Sequence, residues 1–266
     1  MSKMDESIAS TAGTQVDVVI PVYNEERVLE EKIHELHDFL SSVMYVPWQI
    51  VIADNASTDK TREVAQKLSR DLQHVSTLHI PHKGRGLALK TAWGQSLASV
   101  MTYMDVDLST NLNSFLPLIA PILSGHSDIA IGSRLRRGAR VSRRFKREFI
   151  SRSYNLLVKF VMHSHFSDAQ CGFKAISARA ARLLLPRIEN NTWFFDTELL
   201  LLAEHMGLRI FEVPVDWIED LDSRVNIPKT VMEDVQGLWR MRLKLWFQRD
   251  SLRELEPVPV SESASR

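Results

Sequence analysis

Asp105 and Asp107 stand two residues apart at the end of the apolar run Val100 to Met104. In an extended chain, residues two apart project to the same side, so their carboxylates would share a direction. Two carboxylates together invite a hard divalent cation, magnesium or manganese, whose shell waters and substrate phosphates would complete. Such an ion would neutralise a departing diphosphate. Taken alone, Asp-x-Asp is also an ordinary way to end a strand and open a turn.

Three further polar segments follow apolar runs in the same manner. Tyr23-Asn24-Glu25 follows Val16 to Val22, Asp54-Asn55 follows Trp48 to Ala53, and His82-Lys83-Gly84-Arg85-Gly86 follows Val75 to Ile80. A carboxylate placed like Asp54 suits the N–H of a nucleobase or a ribose hydroxyl. Tyr23 offers a stacking face and Glu25 a second acceptor, although Glu25 also suits the first turn of a helix. Ser57 or Asp59 reads as a helix N-cap. Lys83 and Arg85 alternate with glycines just before a helix start, where backbone can approach an anion; a solvated surface turn is the plain alternative. Gly132-Ser133-Arg134 ends a fifth run and adds another cation. Asp168, Asp196 and Glu198 look like site carboxylates, the alternative for the last two being capping of a helix that continues through Leu199 to Leu202.

The elements that would position these residues alternate regularly. Val28, Leu29, Ile33, Leu36 and Leu40 mark a helix over 25–40, and helices are expected at 61–72, 87–98 and 115–123, with strands between them and at 128–132. This is the rhythm of an α/β protein: an open, mostly parallel, Rossmann-like sheet covered by helices on both faces. Ligands of such sheets bind outside the carboxyl ends of the strands, where all of these polar segments fall.

Composition narrows the setting. Thirty-three basic residues balance thirty-three acidic ones, so no global charge points to nucleic acid. Between Arg134 and Arg152, however, there are nine Lys or Arg and one acid, Glu148. That local excess, next to the apolar stretch Leu156 to Met162, suits an anionic headgroup and a membrane surface. The stretch 231–247 interleaves Val235, Leu238, Trp239, Leu245 and Trp246 with Arg240, Arg242 and Lys244, which fits an interfacial amphipathic helix or simple packing against a sheet. No apolar run reaches the roughly 18 to 20 residues that span a bilayer. The single cysteine, Cys171, leaves no internal disulfide. His163 and His165 lack a third ligand for zinc. The expectation is one domain over 16–250 between two disordered tails, 1–15 and 251–266, in the cytoplasm or peripheral on the inner membrane face. Nothing in the sequence sets an oligomeric state.

Pro21-Val22-Tyr23-Asn24-Glu25-Glu26, Asp54 to Asp59, Gly84-Arg85-Gly86, Asp105-Val106-Asp107 and Gly132-Ser133-Arg134, in this order, resemble glycosyltransferase family 2, the inverting GT-A type enzymes. Asp168-Ala169-Gln170-Cys171-Gly172-Phe173-Lys174 and Trp193 to Leu199 look like its dolichyl- or polyprenyl-phosphate glucosyltransferase branch. The resemblance covers about 16–245, with Asn55 where a second acid is usual and Arg85 where Lys is commoner. It implies a nucleotide-sugar donor, UDP-glucose, touched by Pro21, Tyr23, Glu25, Asp54 and Asn55 on one side and by Lys83, Arg85, Gly86 and Asp105 on the other. Mg2+ or Mn2+ would sit on Asp105 and Asp107, with Asp107 the direct ligand. Arg134, Lys174 and Arg152 would face the phosphate of a polyprenyl-phosphate lipid, and Asp168, Asp196 and Glu198 would be the catalytic carboxylates. A soluble hydroxyl acceptor, a nucleotidyltransferase and a binding module without turnover are the competing readings.

Overall fold

The computed structural model describes residues 15–142, 145–218 and 227–247; the expected tails, apart from Gln15, and residues 143–144 of the basic run lie outside them. The first half follows the expected alternation: β1 (Val16–Val22), α1 (Leu29–Val43), β2 (Trp48–Asn55), α2 (Thr61–Asp71), β3 (Val75–Ile80), α3 (Arg85–Gln95), β4 (Val100–Met104), α4 (Phe115–Leu123) and β5 (Ile129–Ser133). Then come β6 (Val141–Ser142), α5 (Phe145–Met162), β7 (Phe173–Ser177), α6 (Ala178–Leu184), α7 (Phe195–His205), β8 (Ile210–Pro214), β9 (Trp217–Ile218) and α8 (Ile227–Phe247).

Seven strands form one sheet in the order β3-β2-β1-β4-β7-β5-β8. All neighbours are parallel except β7, which runs antiparallel to both β4 and β5. Strand order reverses at β1 and β4, and the crevice outside their carboxyl ends is the natural ligand site of an open α/β sheet. Alternation along each strand feeds two cores. Val18, Ile20, Ile50 and Ile52 pack with Ile33, Leu36 and Leu40 of α1 and with Phe115 and Leu118 of α4. Val19, Val51 and Ala53 face the other way, toward Leu89 and Trp93 of α3, Leu199 of α7 and Leu238 of α8. A sheet buried on both faces explains why its central strands read as continuous apolar runs.

The helix expected from Glu25 begins at Leu29 instead. Residues 24–26 are held elsewhere: the Asn24 N–H donates to Ser57 Oγ at 2.9 Å, and the Glu25 N–H donates to Thr61 Oγ1 at 2.7 Å. The loop after β1 is therefore sewn to the loop after β2, with Asn24 in the left-handed region at φ 58°.

Candidate active site

The crevice is assembled from four strand ends and one loop of the second half. After β4 the chain turns at once: Leu108 has φ 51°, and Asp107 Oδ1 accepts the Ser109 N–H at 2.9 Å. Asp105 and Asp107 thus do not share a direction along an extended strand, as their spacing implied; a turn brings them onto one small cleft instead, lined also by Leu108, Gly172 and Trp217. The Asp105 side chain is 45% exposed. A β-carbon on Gly172 would overlap Asp105 Oδ2, so only glycine lets this loop close over the carboxylate. Gly172→Ala is therefore expected to push Asp105 aside and to weaken Mn2+ binding about tenfold or more in a calorimetric titration.

A hard cation fits this pair. Among the described residues no three His, Cys, Asp or Glu side chains gather into a metal group, so the chain offers two carboxylates and leaves the remaining positions to water and phosphate oxygens. Magnesium is commonly bound in that manner.

Arg85 links the cleft to the interior. Its Nη2 donates to Asp105 Oδ1 at 2.8 Å and its Nη1 to Asp196 Oδ2 at 2.6 Å, while the guanidinium lies over the rings of Tyr103 and Trp193. Asp196 also accepts the Tyr103 hydroxyl and pairs with Lys174 Nζ at 2.9 Å. Burial alone would push the Asp196 carboxyl up, but Lys174 and Arg85 outweigh it and hold it below the ordinary range. Burial and the Asp196 charge together push the Tyr103 phenol well up. Asp168 is held in the same way. It is fully buried, and Arg134 grips it through Nε at 2.8 Å and Nη2 at 2.9 Å, so the guanidinium overrides burial and lowers its pKa.

Several residues expected at ligands are used by the chain itself. Lys174, expected at the acceptor phosphate, has no exposed surface; its ammonium donates to the carbonyls of Ala169 and Cys171 and to Tyr103 as well as pairing with Asp196. Glu198, expected to be catalytic, is buried under the neighbouring loop, where it accepts the N–H groups of Glu189 and Asn190 and pairs with Arg240 at 2.9 Å. Arg152 lies on the outer surface of α5 beside Glu148 rather than in the crevice. Asn55 donates to the Val22 carbonyl at 2.6 Å and accepts the Gly84 N–H at 3.1 Å, a pair of bonds that an aspartate could not make. Asp54, 2% exposed, accepts the Ser57 N–H and contacts His79 Nδ1 at 2.8 Å.

Gly84 and Gly86, at the start of α3, also face inward. A β-carbon at Gly86 would meet Phe195 Cβ at 2.7 Å, and the Leu87 N–H at that helix start already donates to the Asn191 carbonyl. The close approach read as room for a phosphate is made by the 191–195 segment. Pro21, Tyr23 and Glu25 remain half-exposed at the end of β1, with Lys83 Nζ 3.6 Å above the Tyr23 ring. Tyr103 and Trp217 are aromatics with no spacing signal of their own, and Trp193 stands out in the sequence only as the first residue of the Trp193 to Leu199 segment.

Residues 17–185 match the model of glycosyl transferase family 2. The chain belongs to glycosyltransferase family 2. It is 34% identical over 242 residues to glycosyltransferase AglD of Haloferax volcanii, covering 90% of this chain and 38% of that protein. Against dolichyl-phosphate beta-glucosyltransferase of Mus musculus the identity is 30% over 238 residues, covering 82% of this chain and 72% of the other. Among solved structures, glucosyl-3-phosphoglycerate synthase from Mycobacterium tuberculosis in complex with Mn2+ and UDP-glucose superposes with a TM-score of 0.61 at 17% identity, over 88% of this chain and 80% of that one. The fold is of the GT-A type and the protein is a glycosyltransferase, which sets aside the nucleotidyltransferase reading.

Proposed function

We propose that this glycosyltransferase moves glucose from UDP-glucose to the phosphate of a polyprenyl-phosphate lipid, with inversion at the anomeric carbon, assisted by Mg2+ or Mn2+ at Asp105 and Asp107. The cation's contribution is to offset charge developing on the departing diphosphate. The observation that carries the acceptor assignment is the state of the carboxylates expected to act as bases. Asp168 and Asp196 are buried against guanidinium or ammonium groups and held in their ionised forms below the ordinary range, and Glu198 is committed to backbone and Arg240. Groups so paired are poor proton acceptors. A hydroxyl acceptor must lose a proton to some base, whereas a phosphomonoester, with a second pKa near 6, already carries a nucleophilic oxygen at neutral pH.

In the balanced step, a phosphate oxygen of the lipid bonds to C1 of glucose as the bond from C1 to the β-phosphate oxygen breaks. UDP leaves with the electron pair, and no proton is transferred in this step. Around it, Asp54, Tyr23 and Lys83 frame the nucleoside end and Arg134 the acceptor end. Pro21 and Glu25 border the same nucleoside end. The name of the Mus musculus relative and the Mn2+ and UDP-glucose in the solved neighbour support this reading.

One observation favours a hydroxyl acceptor instead. Asp234, on the inner side of α8, accepts from Gln170 Nε2 at 2.7 Å and is pushed by burial from 3.8 up to about 7. A carboxyl in that range is suited to general-base work. Asp234→Asn separates the two readings: glucosyl transfer to a polyprenyl phosphate is expected to persist within about threefold, whereas a base role would cost on the order of 10²-fold or more. The same variant has a stability signature. Because the folded pKa lies above the unfolded one, the charged wild-type carboxyl costs stability as pH rises from about 4 through about 7. The Asn variant should therefore melt higher than wild type above pH 7 and match it near pH 4.

A further inference from the structure

Away from the crevice, α5 and α8 pack against each other, each with one face turned out. On α5, Tyr154 and Val158 point into the core while Phe149, Leu156 and Phe160 are 64%, 69% and 80% exposed. Spacings of seven and four residues place those three on a single stripe. On α8, Leu238 and Met241 are buried while Met232, Trp239 and Trp246 are 61%, 66% and 70% exposed, again at intervals of seven. Large apolar side chains gathered on two adjoining helices are unusual on a surface that meets only water.

We infer that this α5–α8 face docks on an anionic lipid leaflet. Charge selects that occupant. The stretch leading into and through α5 carries nine Lys or Arg between residues 134 and 152 against one acid. Of these, Arg137 and Arg140 are exposed in the segment between β5 and β6 that leads to α5, Arg152 is exposed on α5 beside Glu148, and Arg242 stands exposed on the outer face of α8 between the two tryptophans. A second copy of the chain would bring like charges together, whereas an anionic leaflet complements them. Tryptophan favours the boundary between headgroups and acyl chains, where its ring is half apolar and its N–H stays wet.

Both helices are also tied to the acceptor side of the site. Asn155 of α5 accepts the Ala169 N–H at 2.8 Å, and Asp234 of α8 accepts from Gln170, two residues from the glycine that closes over Asp105. A leaflet on this face would lie beside the loop that frames the acceptor phosphate. The inference rests on the lipid-phosphate reading for its purpose, and its test does not depend on turnover.

The test mixes the full chain with vesicles of phosphatidylcholine alone or with phosphatidylglycerol added, neither containing polyprenyl phosphate, and follows co-sedimentation and tryptophan emission. The expected result is at least about tenfold tighter binding to the anionic vesicles, weakened by salt, with a blue shift of emission. A Phe160→Ser/Trp239→Ser double variant, altered only at exposed positions, should lose that binding by about tenfold while UDP-glucose hydrolysis in solution is unchanged. Arg137→Glu/Arg140→Glu should lose the anionic preference. Wild type that sediments with neither vesicle, or a double variant that binds as tightly as wild type, overturns the inference. So does light scattering that shows a wild-type dimer broken by the double substitution. Vesicle binding without any lipid-linked sugar would leave the docking face and remove the acceptor assignment; lipid-linked sugar without vesicle binding would do the reverse.

Discussion

Asp107→Ala is expected to lower metal-dependent release of UDP from UDP-glucose by about 10²- to 10³-fold, the scale on which a preorganised electrostatic group contributes to a transition state. The cleft has two carboxylates and no third acidic or imidazole partner among the described residues, so removing one leaves a cation little to hold it. Asp105 does not compensate, because Arg85 already shares its charge at 2.8 Å. Asp107 also caps the turn through the Ser109 N–H, worth about 1 kcal/mol of stability. Asp107→Asn keeps that bond and removes the charge. If both variants lose turnover alike while only the alanine melts lower, the effect belongs to metal binding rather than to the turn. Turnover by Asp107→Ala that stays near wild type, with the same response to a chelator, would exclude Asp107 as a ligand.

Asp196→Ala is expected to destabilise the fold by about 3–5 kcal/mol in urea unfolding, the cost of leaving a buried charge without its partner. Lys174, wholly buried, and Arg85 both point at this one carboxylate, and Tyr103 adds a hydrogen bond. Asp196→Asn should cost nearly as much, since it preserves shape and removes only the charge. Adding Lys174→Met to Asp196→Ala should recover part of the loss, because the stranded ammonium goes too. The pH dependence has a definite sign. The folded pKa of Asp196 lies below its unfolded value, so its stabilisation is complete above the ordinary carboxylate range and is lost as pH falls through the depressed value. Wild type should therefore lose more stability than Asp196→Ala on acidification below about pH 4.

The residues that carry a local signal were legible in the sequence. Val16–Val22, Val75–Ile80 and Val100–Met104 form strands with the bounds that their apolar runs imply, and each is followed by its polar loop at the same sheet edge. What periodicity cannot show is which distant segment answers a local feature. Gly84 and Gly86 look like room for a ligand, but the space is filled by residues 191–195, more than a hundred positions on. Lys174 reads as a cation available to phosphate, yet β7 enters the sheet antiparallel between β4 and β5 and turns its ammonium toward Asp196. The direction of Asp105 and Asp107 rested on an extended chain, and a turn closed by the Leu108 N–H on the Asp105 carbonyl at 3.1 Å ends that extension. Asn55 departs from the usual acid because its neighbours are a carbonyl and an N–H, which only an amide can satisfy together.

The most direct test of a metal-held sugar nucleotide facing a lipid phosphate is to follow radiolabelled glucose from UDP-glucose in the presence of a short-chain polyprenyl phosphate, its dephosphorylated alcohol, or neither. Label should pass into the organic phase only with the phosphate, in a form released by mild acid, and a chelator should abolish the transfer until Mn2+ is restored. Label that reaches the alcohol equally well, or that enters the organic phase undiminished in chelator, would contradict it.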